Sequence, residues 1–280
     1  MISINAPQVS NVDILNNLES HSAELGAIKG SLENSYAIYT LNSGDPARIA
    51  PLEVSEVVEK ELLACYGYGY VKRKDDIYLS NWIYELRHGD TLPYCPMCGN
   101  TGRDAIDHYL PKDFYPEFAF FSKNLVPTCT ACNGKRNKYA NAPNVELSLL
   151  HPYMDGAQLN QALIFVQISG SLNEDGTVSY AIPSFSIAPC LSDTDQLYHR
   201  LQNHLNKCVS TSQFLRWITG RWGVWRKKAP NYLTLPDLRL AVKVELDAEV
   251  EVGGMNNWTA AFLRGLLLDK FALDWMRLNP

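Results

Sequence analysis

The stretch Tyr94–Tyr139 constrains this chain more than any other, because it carries two Cys-x-x-Cys pairs, Cys95/Cys98 and Cys129/Cys132. Each pair presents two thiolates on one tight turn, and two such turns complete a tetrahedron of sulfur, the ligand set that zinc prefers. Four thiolates close the site. A zinc held this way has no vacant position for water or substrate, so it is expected to brace the fold and leave any chemistry to other residues. Dithiol exchange is the weaker reading, since two matched pairs favour a metal.

Between and beside these pairs stand Asp107-His108, Pro111, Asn124-Leu125, Asn133 directly after the last cysteine, and Lys135-Arg136. In order and spacing these residues resemble the zinc-binding HNH endonucleases of the ββα-metal (His-Me finger) class. The resemblance implies an α+β fold with a ββα core, a β-hairpin packed on a helix, set between mainly helical segments. It also implies roles. His108 would be the general base, and Asp107 and Asn133 would offer oxygen ligands to Mg²⁺ or Mn²⁺, which take hard donors and keep several waters. Asn124 would tie the loop carrying His108 to the hairpin. His108's second ring nitrogen is expected on a backbone carbonyl or polar side chain, and Lys135, Arg136 and Lys138 are expected to contact phosphate. Two departures stand out. Asp113-Phe114-Tyr115-Pro116 replaces the Gly-Gly that many members carry, and Arg136 stands where Lys is usual, giving a phosphate contact of different geometry.

A chain of 280 residues with 46% hydrophobic content can bury a substantial core. Three segments are expected: 1–90 helical, 91–155 the nuclease core, and 156–280 a β-hairpin followed by helices. Seven cysteines, an odd number with four in metal-like pairs, point to a reducing cytoplasm. The first residues lack a basic start followed by an apolar run, and no stretch approaches the roughly 18 apolar residues that span a bilayer. Cys65, Cys190 and Cys208 stand alone and read as small hydrophobes.

The net charge of -5 is low for a protein gripping nucleic acid over a long footprint, so binding must rest on local patches. Two are visible: Lys135-Arg136-Asn137-Lys138, and Arg221-Trp222-Gly223-Val224-Trp225-Arg226-Lys227-Lys228. A third run, Val71–Asp76, is partly cancelled by its acids and reads as a solvated loop.

Apolar residues recur at helical intervals from Asn11 to Ser43, giving one or two amphipathic helices. Pro51 is expected to open a helix over Leu52–Tyr66, ended by Gly67-Tyr68-Gly69-Tyr70, with another over Ile77–Leu86. Ala162–Ile168 and Thr177–Ile182 read as a hairpin turned by Asn173-Glu174-Asp175-Gly176, with a third extended piece at Pro183–Pro189. Ser192–Asp195 caps a helix striped by Leu197, Leu201, Leu205 and Cys208. Further helices are expected at Thr211–Trp225, Leu238–Val250 and Trp258–Leu278, the last apolar all round, as suits a core helix or an oligomer contact.

The leading expectation is therefore a metal-dependent endonuclease acting on DNA. The layout, with large segments on both sides of the motif, also resembles HNH subunits of Septu-type and retron-linked anti-phage systems. That implies an ATPase or other defence-system partner and allows a homo-oligomer. The rival is a non-catalytic zinc module that binds nucleic acid or protein.

Overall fold

The computed structural model describes residues 1–70, 81–89, 93–136 and 139–279, with the side chains of 19–21, 68–70 and 81 left aside. The run Val71–Asp76, residues 77–80 of one expected helix, and Lys138 of the expected phosphate contacts lie outside the described residues.

The chain is mixed α+β, roughly half helical, with two small antiparallel hairpins. The first helical stretch divides into α1 (Asn11–His21), α2 (Ala23–Ala27) and α3 (Lys29–Leu41). Ser22 causes the first break: its extended backbone ends α1, and its hydroxyl accepts from Leu25 N–H to cap α2. Helix α4 (Glu56–Tyr70) starts later than Pro51 suggests and runs through Gly67 and Gly69 rather than ending there. The delay has a tertiary cause. Leu52 N–H donates to the Glu117 carboxylate at 2.9 Å, which holds residues 51–55 extended. Helix α5 (Asn81–His88) follows.

The first hairpin pairs β1 (Ala105–His108) with β2 (Leu125–Thr128), setting Asp107 opposite Val126 and His108 opposite Leu125. Helix α6 (Thr130–Lys135) comes directly after β2 and packs on β1. The short helix α7 (Gly156–Leu159) leads to the second hairpin, β3 (Ile164–Leu172) with β4 (Val178–Pro189). The expected third extended piece is the continuation of β4. An irregularity between Ser169 and Ser171 shifts the register and lets the long strands stay paired.

The remaining helices are α8 (Gln196–Cys208), α9 (Thr211–Lys228), α10 (Leu235–Gly253), α11 (Trp258–Leu268) and α12 (Ala272–Leu278). Asp195 caps α8 as expected, its side chain accepting from Leu197 N–H. The last expected helix is two, because the Asp269 carboxylate accepts from Phe271 and Ala272 N–H and restarts the chain as α12. Helix α11 is the core helix: Trp258, Ala260, Ala261, Phe262, Leu263 and Leu266 are all buried. It lies so close to β3 that a Cβ on Gly265 would sit 2.0 Å from the Val166 carbonyl oxygen. One hydrophobic cluster links residues from all three expected segments. Among the described residues, no helix is long and apolar enough to cross a membrane.

Candidate active site and cysteine cluster

The two cysteine turns face each other at the base of the first hairpin. The Sγ atoms of Cys95, Cys98 and Cys132 are buried and lie within 4.8 Å of one another, so this cluster could hold a metal ion such as zinc. Cys129 belongs to the same group, with its Sγ 3.7 Å from that of Cys98. Backbone amides point at the sulfurs: Cys129 N–H donates to Cys95 Sγ and Cys132 N–H to Cys129 Sγ, each at 3.3 Å. The second contact also caps α6, so the residue that starts the helix is itself a cluster member.

The first turn is held from outside by the C-terminal helices. Trp258 Nε1–H donates to the Cys98 carbonyl at 2.7 Å. His204 accepts Leu150 N–H on Nδ1, so its Nε2 carries the proton and donates to the Met97 carbonyl at 2.6 Å. Gly99 turns the chain at φ +80°, where a Cβ would come within 2.5 Å of the Asn256 carbonyl oxygen. Cys208, expected to be only a small hydrophobe, is buried on α8 against Cys132 and His204. No local spacing signals this, because α8 is brought to the cluster by folding alone. Cys190 differs from its expected apolar setting and is exposed.

Asp107 and His108 are neighbours on β1 and so project to opposite faces. The imidazole of His108 donates from Nε2–H to the Ala119 carbonyl at 2.9 Å, since a carbonyl can only accept. Tyr66 of α4 meets the ring edge to face at 4.4 Å. Burial is the main cause that lowers the ring's pKa to about 3, with the Ala119 contact opposing it and the Lys112 and Arg136 charges adding to it. The ring is neutral with its proton on Nε2, and the Nδ1 lone pair has no partner among the described residues. His108 keeps only 7% exposure.

Asn124 wires the loop that connects the two strands. Its Nδ2 donates to the carbonyls of Leu110 and Phe118 at 3.0 and 3.1 Å, and its Oδ1 accepts Leu110 N–H at 2.7 Å. Behind it stands a relay that the sequence does not disclose. Tyr153 N–H donates to His151 Nδ1, so His151 Nε2–H donates to the Tyr39 oxygen at 2.9 Å, and the Tyr39 hydroxyl is 3.2 Å from Asn124 Oδ1. Burial pushes His151 down to about 3, which keeps it neutral and the relay's direction fixed.

Arg136 requires a correction. It was expected to contact phosphate, but its side chain is 3% exposed and its Nε lies 2.7 Å from Asp107 Oδ2, as an ion pair. Its Nη2 donates to the carbonyls of His108 and Tyr109. The guanidinium is buried, with Nε and Nη1 sealed from solvent, so it offers no face to a nucleotide. Lys135 is exposed, yet its ammonium donates to the Val209 carbonyl. Asp107 Oδ2 is sealed, and the side chain as a whole keeps 13% exposure. Desolvation raises the Asp107 pKa to about 6 against the opposing pull of Arg136. Asn133, half-buried on α6, makes no side-chain hydrogen bond among the described residues.

Glu117 lies in the same loop and is sealed from solvent. Its Oε1 accepts Leu52 N–H, its Oε2 has no partner, and burial raises its pKa to about 7. A folded pKa above the ordinary 4.5 means the protonated form is the one folding favours. That stability is complete below the ordinary value and is lost as pH rises through about 7. Glu117→Gln keeps the Leu52 acceptor and removes the charge. It is expected to add about 3 kcal/mol to unfolding stability above about pH 8 and almost nothing near pH 4. Urea unfolding at the two pH values measures the difference, and an equal effect at both would refute it.

Comparison with known proteins bears on the setting. No family profile matches the chain, and no solved structure matches it. Part of it is similar to a Septu protein. This is PtuB of Bacillus thuringiensis, 44% identical over 34 residues, which are 12% of this chain and 13% of that protein. Protein ea31 of Escherichia phage lambda is 42% identical over 62 residues, 22% of this chain and 21% of that protein. The matched segment thus spans about a fifth or less of each relative.

Proposed function

We propose that this chain is a metal-dependent endonuclease of the HNH type that hydrolyses DNA phosphodiester bonds in anti-phage defence. The observation that carries the proposal is the locked imidazole of His108: Nε2–H is fixed on the Ala119 carbonyl, so the lone pair is on Nδ1, which has no partner among the described residues. The short similarity to Septu PtuB, a defence-system protein, supports the setting.

The cysteines fit zinc. A Zn–S bond of about 2.3 Å in a tetrahedron puts sulfurs about 3.8 Å apart, and the Cys98–Cys129 separation is 3.7 Å. Zinc would brace the hairpin to α6 and to α8, with no part in the reaction. Asp107 Oδ1 and the Asn133 carbonyl oxygen are hard donors that fit Mg²⁺ or Mn²⁺, one from the strand and one from the helix packed on it. Such an ion, when bound, neutralises charge on the phosphate and on the departing 3′ oxygen.

His108 Nδ1 takes a proton from the attacking water as its oxygen bonds to phosphorus, and the Nε2–H bond to Ala119 keeps the ring aimed while it does so. Asn124 holds Leu110 and Phe118 on either side of that loop and thereby fixes Ala119. The ring is 7% exposed with Tyr66 of α4 packed against it, so the proposal requires Tyr66 to move before a duplex meets Nδ1.

A second reading, a non-catalytic cysteine-cluster module, is favoured by the burial of His108 and by the Arg136 cation already on Asp107. Plasmid cleavage with Mg²⁺ or Mn²⁺ separates the two. His108→Ala is expected to lower the rate by about 10²–10⁴-fold at unchanged zinc content. Equal cleavage by both chains would refute the base assignment, and no cleavage by either would favour the module.

A further inference from the structure

Helix α9 carries Arg216, Arg221, Arg226, Lys227 and Lys228 and no acidic residue, in a chain whose net charge is -5. Three of these cations are engaged on their own side of the helix. Arg221 lies over the Trp217 ring at 5.9 Å, Arg226 over Trp275 at 5.1 Å, and Lys228 over Trp225 at 4.9 Å while also pairing with Glu245 at 3.1 Å. Phe214, Ile218, Trp222 and Trp225 are buried and anchor the helix to the body of the protein.

Arg216 and Lys227 are different. Both are exposed and engage no side chain among the described residues. They are three helical turns apart, which at 100° per residue puts them on one face about 16 Å from each other. On that face between them stand Gly220 and Gly223, with open space where a Cβ would be, so no bulky side chain rises between the two charges.

We infer that this face of α9 rests on the sugar-phosphate backbone of duplex nucleic acid, with Arg216 and Lys227 each meeting a phosphate. Charge complementarity selects the occupant: an unpaired cation at each end of a level surface, on a helix without acids, suits a regular polyanion. The buried indoles of Trp222 and Trp225 are unavailable for stacking on unpaired bases, which favours a duplex over a single strand. The inference rests on the nucleic-acid part of the proposed function and supplies the grip that Arg136 does not.

The test uses the full chain carrying His108→Ala, so that the probe is not consumed, and follows binding of a fluorescent duplex of arbitrary sequence across a salt series. Adding Arg216→Gln and Lys227→Gln is expected to reduce the slope of log K against log salt by about 1.8, two phosphates at about 0.9 each. A control pair, Lys29→Gln with Lys243→Gln, alters a half-buried and an exposed lysine already paired with Glu33 and Asp247 and leaves the slope as it was. Circular dichroism confirms that each variant is helical. An unchanged slope in the α9 variant, no duplex binding by the parent, or an equal loss in the control pair overturns the inference. So does a loss confined to binding of polyglutamate, which would make the partner an acidic protein. Cleavage by the unmodified chain is scored separately: activity with an unchanged slope sinks the α9 surface alone, and a reduced slope without any cleavage sinks the nuclease reading alone.

Discussion

Cys95→Ser, or exhaustive chelation, is expected to unfold far more than the first cysteine turn. Structural zinc contributes about 10–16 kcal/mol of apparent binding energy to small domains, as much as the whole stability of a typical one. Here the turn is joined to distant helices through Trp258 on the Cys98 carbonyl and His204 on the Met97 carbonyl. Losing the ion should therefore lower the helical signal of α8 and α11 together with that of α6. The measurement pairs metal content by mass spectrometry with thermal melts of the parent, Cys95→Ser and Cys190→Ser chains. The exposed Cys190 serves as the control and should melt with the parent. A Cys95→Ser chain that keeps its metal and its melting temperature would remove the cluster from any structural role.

Arg136→Met should be the costliest single change outside the cysteines. It leaves the Asp107 carboxylate where Oδ2 is sealed, and breaking a buried pair by removing one partner costs about 3–5 kcal/mol. The carboxyl has a way out, since burial already raises its pKa to about 6 and losing Arg136 raises it further. Protonation then limits the cost in acid, so the destabilisation should be greatest above neutrality and shrink as pH falls. Asp107→Asn added to Arg136→Met removes the stranded charge and should recover most of the loss. Urea unfolding of the two single variants and the double variant closes the cycle. A single variant within about 0.5 kcal/mol of the parent would mean that the pair carries no stability.

Structure set by near neighbours is legible in the sequence, and structure set by distant partners is not. The cysteine turns, the Asp195 cap and the stripe Leu197, Leu201, Leu205 and Cys208 are set by near neighbours, and the structure has each, with Leu197 only half-buried. The late start of α4 depends on Glu117 reaching Leu52, a partner no window around Pro51 contains. Arg136 is expected on a phosphate because Lys135 and Lys138 flank it in a basic run, yet Asp107 draws it inward. Nothing in the sequence around Tyr39 or His151 marks either residue. Only the folded chain brings their polar atoms to Asn124, where burial keeps water from competing for them. The elements were legible wherever hydrophobic period and capping agreed, and the site wherever its residues were close in sequence.

The outward carbonyls of Pro96, Met97 and Cys98 have a wider consequence. They accept from Ile2 N–H, His204 and Trp258, so one tetrapeptide reports to the start of the chain, to α8 and to α11 at once. Excising the motif to study it alone would strip away the donors that keep those oxygens out of water. Whatever this protein does at its hairpin, it does as one mechanical body, in which a tug on the C-terminal helices is felt at the thiolates.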